Sequence, residues 1–490
     1  MVHARNVCSA AQAPRHRKRR SRRVRRSVLR PKDGSPILST PPSQQGSAPG
    51  GEPISIGLFG HVGNGNLGDE ATVTAMMENL RLRLPQVHLV LFSLNPLETA
   101  ERYGLPTFPI RRAPPLGFGV EPPPPSGPNP AWRERLKAIP WIRATFRVGR
   151  DLVGGFAQLP AELRFLWVSY RRLRAVDLLL VTGSGQLNDS DGGPWAYPYT
   201  LAKWAFLARL AGVPLVFASV GAGTVTTPLG RLFLRSALRS AEYHSCRDDW
   251  TARVVGSLRV RGPHPVTADL AFSLPVPPAR PPAQSRRATV VGVNPLPYFD
   301  ASYWPIADPA RYEPYVQALA AFCAALLDAG YNVTLFSTQI RADPPVAADV
   351  ERRIGPDTGR TGRLSNIHPK TVSELFTAVA QMDFVVPTRF HGIVFAGLLG
   401  KPILCLSYEP KSRAVMETLS QGRHVMEVES ISSQALRDAF DDLVANRATV
   451  SATLAARVPV LVGQLQRQYD LIVDYATKAQ PTLIQRTSAP

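Results

Sequence analysis

The run Asp177-Leu178-Leu179-Leu180-Val181-Thr182, followed at once by Gly183-Ser184-Gly185, limits the possible folds of this chain more than any other segment. A near-continuous apolar stretch bounded by a glycine turn has no polar face for water. It must be a strand covered on both sides, as in a parallel sheet flanked by helices. The same grammar recurs along the chain. Ile54 to Phe59 reads as a first strand ending in a glycine turn. Val73, Met76, Met77, Leu80 and Leu84 then follow at helical spacing, and His88 to Phe92 is the next strand. Helices over about 199–211 and 228–241, with Pro228 in the first turn of the second, flank a strand from Pro214 to Ser219.

These alternations predict an N-terminal α/β domain over 53–274. Residues 104–140 hold eleven prolines, among them Pro122 to Pro125, which predicts an insertion without regular elements. Five prolines within 275–282 mark a linker over 275–288. A second α/β domain is predicted over 289–428. It begins with a strand from Thr289 to Asn294 and a helix carrying Val316, Leu319, Cys323, Leu326 and Leu327, which Gly330 stops. A strand from Tyr331 to Phe336, a helix over 371–381, a strand over 383–387, a helix over 392–399 and a strand over 402–407 follow. Helical stretches at about 432–445 and 448–476 close the chain within 429–490. The expected fold class is α/β, with two Rossmann-like domains facing across a cleft, which places ligands at the carboxyl ends of strands.

Charge bears on partners. The chain carries 57 Lys+Arg against 37 Asp+Glu, a net +20, yet residues 1–50 alone hold twelve basic residues and one acid. The excess is therefore concentrated in a tail, 1–52, predicted to be disordered, and the remainder gives no reason to expect nucleic acid as a partner. The tail is either solvated or a weak peripheral contact with an anionic membrane surface, at about 1 kcal/mol per basic residue. Arg25-Arg26-Ser27-Val28-Leu29-Arg30 has a twin-arginine look, but Pro31-Lys32-Asp33-Gly34 follows in place of an apolar segment, so no export signal is predicted. The four cysteines show no CxxC and no close spacing, which fits a reducing cytoplasm and predicts no metal site. The most hydrophobic region, Trp204 to Gly221, is broken by Arg209, Gly212 and Pro214, short of the ~20 apolar residues a spanning helix needs.

Three loops carry candidate chemistry. Gly63-Asn64-Gly65-Asn66-Leu67-Gly68 is a literal GxGxxG between a strand and a helix. Asp69 and Glu70 nevertheless stand where a pyrophosphate would need a positive helix end, and Ser93-Leu94-Asn95 closes the second strand without a ribose-binding carboxylate. A dinucleotide is not expected there. Asp69 is read as a helix N-cap, and Asn66 and Asp69 as residues suited to sugar hydroxyls. Gly183-Ser184-Gly185 lets a ligand approach the backbone. Pro387-Thr388-Arg389-Phe390-His391-Gly392 follows a buried strand and opens a helix, joining a guanidinium, an imidazole and free N–H groups. That set binds carboxylate or phosphate, and the histidine can move a proton. Arg247-Asp248 is either a further anion contact or a surface ion pair worth under ~1 kcal/mol. Lys411, after the strand over 402–407, can join Arg389 at one anionic ligand.

Taken in order, several segments resemble the polysaccharide pyruvyl transferase family. They are Gly63 to Glu70, the loop 183–185, Ser219-Val220-Gly221-Ala222-Gly223, Arg247-Asp248, Thr388 to His391, and Lys401-Pro402 through Tyr408-Glu409-Pro410-Lys411. Asn294-Pro295-Leu296-Pro297-Tyr298 and Phe336-Ser337-Thr338-Gln339 are similar to the branch of bacterial exopolysaccharide clusters. The resemblance implies a fold like that of B-type glycosyltransferases. It also implies transfer of a pyruvyl group from phosphoenolpyruvate, a co-substrate, onto two hydroxyls of a saccharide or lipid-linked oligosaccharide, with no further cofactor. By position, donor contact carries over to Arg247, Arg389 and His391; beside that, the residues themselves lead to the expectation that His391 and Arg389 are catalytic and that Phe390 and Lys411 join the donor site. Asn66, Asp69 and Ser184 lie on the acceptor side, in the first domain, and the donor side is the second. Phe390 stands where the family more often has Leu. The expected location is cytoplasmic, with the inner membrane face as a peripheral site. Two rival readings remain open: a nucleotide-sugar-dependent glycosyltransferase on the same architecture, and a non-catalytic polyanion-binding protein led by the tail.

Overall fold

In a computed structural model the chain is described over residues 53–112, 160–190, 192–276, 288–304, 306–355 and 362–487. The expected tail, most of the proline-rich insertion and most of the linker lie outside the described residues.

The first half is a six-stranded parallel sheet in the order β3-β2-β1-β4-β5-β6. Its strands are β1 Ser55–Phe59, β2 His88–Ser93, β3 Thr107–Pro109, β4 Leu178–Thr182, β5 Leu215–Val220 and β6 Tyr243–Cys246. Its helices are α1 Leu67–Arg83, α2 Pro96–Tyr103, α3 over 160–173, α4 Tyr197–Ala211, α5 Pro228–Arg239 and α6 Asp249–Ser257. All five residues of β4 are buried, as the apolar run requires. The chain reverses direction across the sheet between the adjacent strands β1 and β4. The loops leaving these two strands diverge, and a crevice opens between them. One is the GxGxxG turn and the other is Gly183–Gly185.

The second half repeats the logic with a four-stranded parallel sheet, β10-β7-β8-β9. Here β7 is Val290–Asn294, β8 Asn332–Phe336, β9 Leu364–Ile367 and β10 Phe384–Pro387. The helices are α7 Pro309–Asp328, α8 Asp343–Ile354, α9 Val372–Ala380, α10 Phe390–Leu398, α11 Pro410–Thr418, α12 Ser433–Ala445 and α13 Arg447–Thr487. A small pair, β11 Cys405–Ser407 with β12 Val425–Glu427, extends the β10 edge through a bridge between Val385 and Ile403. The reversal lies between β7 and β10, so the Arg389–His391 segment also leaves a switch point.

Some expectations need correction. The insertion was expected to lack regular elements, but β3 forms within 104–112, where prolines are tolerated because it is an edge strand. Asp69 does not cap α1; Asn66 does, its Oδ1 accepting from Gly68 N at 3.0 Å. The two expected C-terminal helices form as α12 and α13, but no helix long enough to span was expected, and the Arg447–Ala479 portion of α13 is long and apolar enough to cross a membrane by length and composition. In this fold Leu454, Leu461, Leu465, Tyr469, Ile472 and Ala476 are buried in the core. Cys246, Cys323 and Cys405 are buried free thiols.

Candidate active site

The turn after β1 is shaped by Gly63 and Gly65, whose φ angles of +82° and +77° exclude most side chains. Asn64 Oδ1 accepts from Asn66 N at 3.0 Å, and Asn66 in turn caps the helix, so both amides hold the turn itself. Glu70 is buried and braces the turn: Oε1 accepts from Gly63 N at 3.0 Å and Oε2 from the Tyr103 hydroxyl at 2.5 Å. Asp69 is buried too. Burial raises its pKa, against the lowering pull of His391, the Ser184 hydroxyl and Arg247. Ser184 has a φ of +62°, a left-handed conformation unusual for serine. Its buried Oγ faces Asp69 without reaching full hydrogen-bond geometry to any group.

This turn also meets the second half. Leu67 N donates to Thr338 O (3.0 Å), Ile340 N to Gly65 O (2.8 Å) and Gln339 Nε2 to Asn64 O (3.2 Å). His391, in the first turn of α10, lies flat against Gly68 of α1, and a Cβ at position 68 would overlap its ring. Its Nε2 is buried without a hydrogen-bond partner, 3.8 Å from Asp269 Oδ2. Burial, partly offset by Asp69 and reinforced by Arg247 and Lys411, pulls its pKa down to about 3.

Arg247 comes from the end of β6. Its guanidinium lies over Gly221, where a Cβ would collide with it, and stacks on Phe390 with Cζ 4.0 Å from the ring centroid. Its Nε is 3.3 Å from Asp248 Oδ2, and its Nη1 is 3.4 Å from Asp269 Oδ2. The Arg247–Asp248 contact is therefore buried, and the surface-pair reading is set aside. Asp269 Oδ1 accepts from Ala271 N at 3.0 Å, and burial raises the carboxyl pKa while Arg247 opposes it. Lys411 Nζ pairs with Glu409 at 2.5 Å and lies over the Tyr408 ring. Its charge acts on His391, and that of Arg247 acts on it.

Arg389 turns the other way. Its Nε and Nη2 donate to Asp343 Oδ1 at 2.9 and 2.6 Å, and Nη1 donates to the Tyr303 hydroxyl at 3.3 Å. Asp343 is fully buried, and its Oδ2 accepts from the backbone of Thr338 and Gln339, both at 2.9 Å. Arg389 thus anchors the very loop that touches the glycine turn.

The fold brings Asp69, Ser184, Arg247, Phe390 and His391 into one buried corner with Lys411 beside it. Asn66 and Arg389 stand on the seam. The sequence reading missed Asp269 and Asp343. Asp343 before Pro344-Pro345 signals a helix start, and Asp269 is a lone carboxylate ahead of Leu270-Ala271-Phe272. A guanidinium, an ammonium, a neutral imidazole and two carboxyls with raised pKa values can neutralise a small polyanion and relay a proton. Among the described residues no group of three His, Cys, Asp or Glu is placed to hold a metal ion.

A family model described as polysaccharide pyruvyl transferase matches residues 66–410. No curated protein matches the sequence. Among solved structures, a UDP-GlcNAc 2-epimerase from Neisseria meningitidis bound to UDP-GlcNAc is similar at TM-score 0.50 and 10% identity, over 87% of this chain and 100% of that one. A UDP-N-acetylglucosamine 2-epimerase gives 0.51 and 13%, over 87% and 96%. A glycosyltransferase from Rickettsia africae gives 0.47 and 9%, over 86% and 99%. At such identities the likeness to the two epimerases is one of fold alone, and this chain's own two parallel sheets are its two Rossmann-like α/β halves.

Proposed function

The chain belongs to the polysaccharide pyruvyl transferase family, and from that premise we propose that it moves the pyruvyl group of phosphoenolpyruvate onto two hydroxyls of one sugar, in a polysaccharide or its lipid-linked precursor, closing a cyclic ketal. One observation carries this reading: Arg247 from the first half and His391 from the second converge on Asp269 Oδ2, at 3.4 and 3.8 Å, with Phe390 stacked on the guanidinium at 4.0 Å and Lys411 beside them. Phosphoenolpyruvate brings a carboxylate and a phosphate, about three negative charges, and is small enough to need only such a corner. The Arg247 guanidinium offers it a planar fork, Lys411 a point charge, and the first turn of α10 free N–H groups.

The first step adds a sugar O–H across the donor's carbon–carbon double bond. One sugar oxygen bonds to the central carbon, and the methylene carbon gains a proton to become methyl. The hydroxyl loses one proton and the carbon gains one, so a single group that alternates between base and acid closes the balance. His391 fills that role, since it is neutral before the donor arrives and the donor's negative charge then favours the imidazolium. In the second step the other hydroxyl displaces the phosphate at the same carbon, and its proton leaves with the phosphate. Asp69 and Ser184 face the acceptor hydroxyls. Arg389 contributes by fixing the 338–340 loop against the glycine turn.

Thermal melting with candidate donors tests the reading. Phosphoenolpyruvate at ~100 times its dissociation constant adds about 2.7 kcal/mol of stability, and Arg247→Ala loses that shift. A shift with UDP-N-acetylglucosamine and none with phosphoenolpyruvate would overturn the proposal in favour of a glycosyltransferase.

A further inference from the structure

The outer layer of the first half presents a surface that the proposed reaction does not use. Helices α3, α4 and α5 bury Leu173, Leu201, Trp204, Leu207, Leu234 and Leu238 in one apolar cluster with Phe59, Phe92 and Phe217 of the sheet. The opposite faces of such helices are ordinarily polar. Here Leu163, Trp167, Phe206, Leu210 and Leu232, with Trp195 in the turn before α4, are each between 56% and 65% exposed. The helices that carry them are neighbours. Trp195 touches Tyr199 and Phe233 at centroid distances of 5.5 and 5.6 Å, which ties α4 to α5. Lys203 links α4 to α3 through Glu162 at 3.1 Å and the Phe165 ring at 4.7 Å.

The charge on these helices is one-sided. Together they carry eight Arg and Lys residues against a single carboxylate, Glu162, and that carboxylate is paired with Lys203. Exposed tryptophans, leucines and a phenylalanine rimmed by arginine match the interface of an anionic bilayer, where indole rings sit at headgroup level. A second copy docking by this face would set cation against cation. One end of this face also lies close in sequence to the buried corner. Trp195 is two residues from Tyr197, whose ring packs 4.8 Å from that of His61, and His61 Nδ1 lies 3.6 Å from Asp69.

We propose that this face, formed by α3, α4, α5 and Trp195, docks on an anionic lipid bilayer. It holds the candidate active site near the membrane surface, where a lipid-borne acceptor would be presented. The docking itself does not depend on which group that site transfers.

Co-sedimentation of the full chain with vesicles tests it without reading activity. Phosphatidylcholine vesicles containing phosphatidylglycerol are compared with pure phosphatidylcholine at physiological salt. Two triple variants change exposed positions only: Trp167→Ser with Trp195→Ser and Phe206→Ser, and Arg164→Glu with Arg171→Glu and Arg209→Glu. Melting temperatures check that both remain folded. The expected result is binding to the anionic vesicles, at least tenfold weaker binding to neutral ones, and a loss of tenfold or more in each triple variant. No binding to anionic vesicles, or both variants binding as the parent does, would overturn the proposal. So would a dimer in sedimentation velocity that the apolar triple abolishes, because the face would then belong to a second copy.

Discussion

His391 couples the chemistry to the stability of the fold. Its folded pKa of about 3 lies below the 6.5 of an unfolded histidine. In the unfolded chain the ring takes up a proton as pH falls through 6.5, while the native protein refuses it until about pH 3. Stability must therefore fall with pH across that window, by about 1.4 kcal/mol per unit once the unfolded ring is charged. Asp69 and Asp269 act in the opposite sense, since raised carboxyl pKa values lose stability as pH rises. Replacing His391 by Asn removes the histidine contribution and, with it, the ring's pull on Asp69. Between pH 7 and pH 5 the parent should lose about 2 kcal/mol more than His391→Asn in urea unfolding. Parallel losses in the two proteins would mean that the ring titrates normally. At this scale Arg389-Phe390-His391 and Arg247-Asp248 stood out in the sequence as candidates because each set lies in one short motif. Asp269 and Asp343 did not, because a carboxylate acquires its role from the arginine the fold brings to it, from 22 and 46 positions away.

Among the elements, the legible ones were those whose burial is complete. β4 and β10 are buried over their whole length, and apolar runs announce them. β3 has only three residues, none of them fully buried, and it contains a proline, so its pairing with β2 left no pattern to read. α8 opens on Asp343-Pro344-Pro345, prolines that suit a first turn but resemble a break. The return of α13 to the first half was invisible, because a helix's partner is not written in its own periodicity. That return braces the buried corner. Gln468 Oε1 accepts from Ser245 Oγ at 2.5 Å and Thr267 Oγ1 at 2.8 Å, and its Nε2 donates to Ser219 Oγ at 2.9 Å. Each hydroxyl lies two residues before a position at that corner: Gly221, Arg247 and Asp269. One amide on α13 thus binds the three segments that place the Arg247 guanidinium. Gln468→Leu leaves these buried hydroxyls short of partners, so urea unfolding should show a loss of about 1–3 kcal/mol. The phosphoenolpyruvate-induced melting shift should also shrink relative to the parent. Stability within ~0.5 kcal/mol of the parent would show that the network is dispensable.

Over the whole molecule, the two halves that the proline-rich linker separates in sequence are not independent in energy. One apolar cluster runs from Ile56, Met76 and Leu180 of the first half, through Phe272, into Val293, Phe395 and Leu406 of the second, and on to Leu465 and Ile472 of α13. The glycine turn adds backbone hydrogen bonds across the same seam. Linker composition can mark where one sheet ends and the next begins, but it says nothing about how much apolar surface the two then share. A hinge between weakly coupled bodies would let one sheet open while the other stays closed. A shared core makes partial opening expose apolar surface on both sides, at about 25 cal/mol per Å². Native-state hydrogen exchange separates these cases. Amides in β1 and β4 and amides in β7 and β10 should exchange with the same opening free energy, and with the same steep dependence on denaturant. If the second sheet opened at a free energy lower by more than ~1 kcal/mol, the seam would be a contact between two folding units. Donor binding at the corner where Arg247 meets His391 would then have to supply the coupling that the shared core is expected to provide in the free protein.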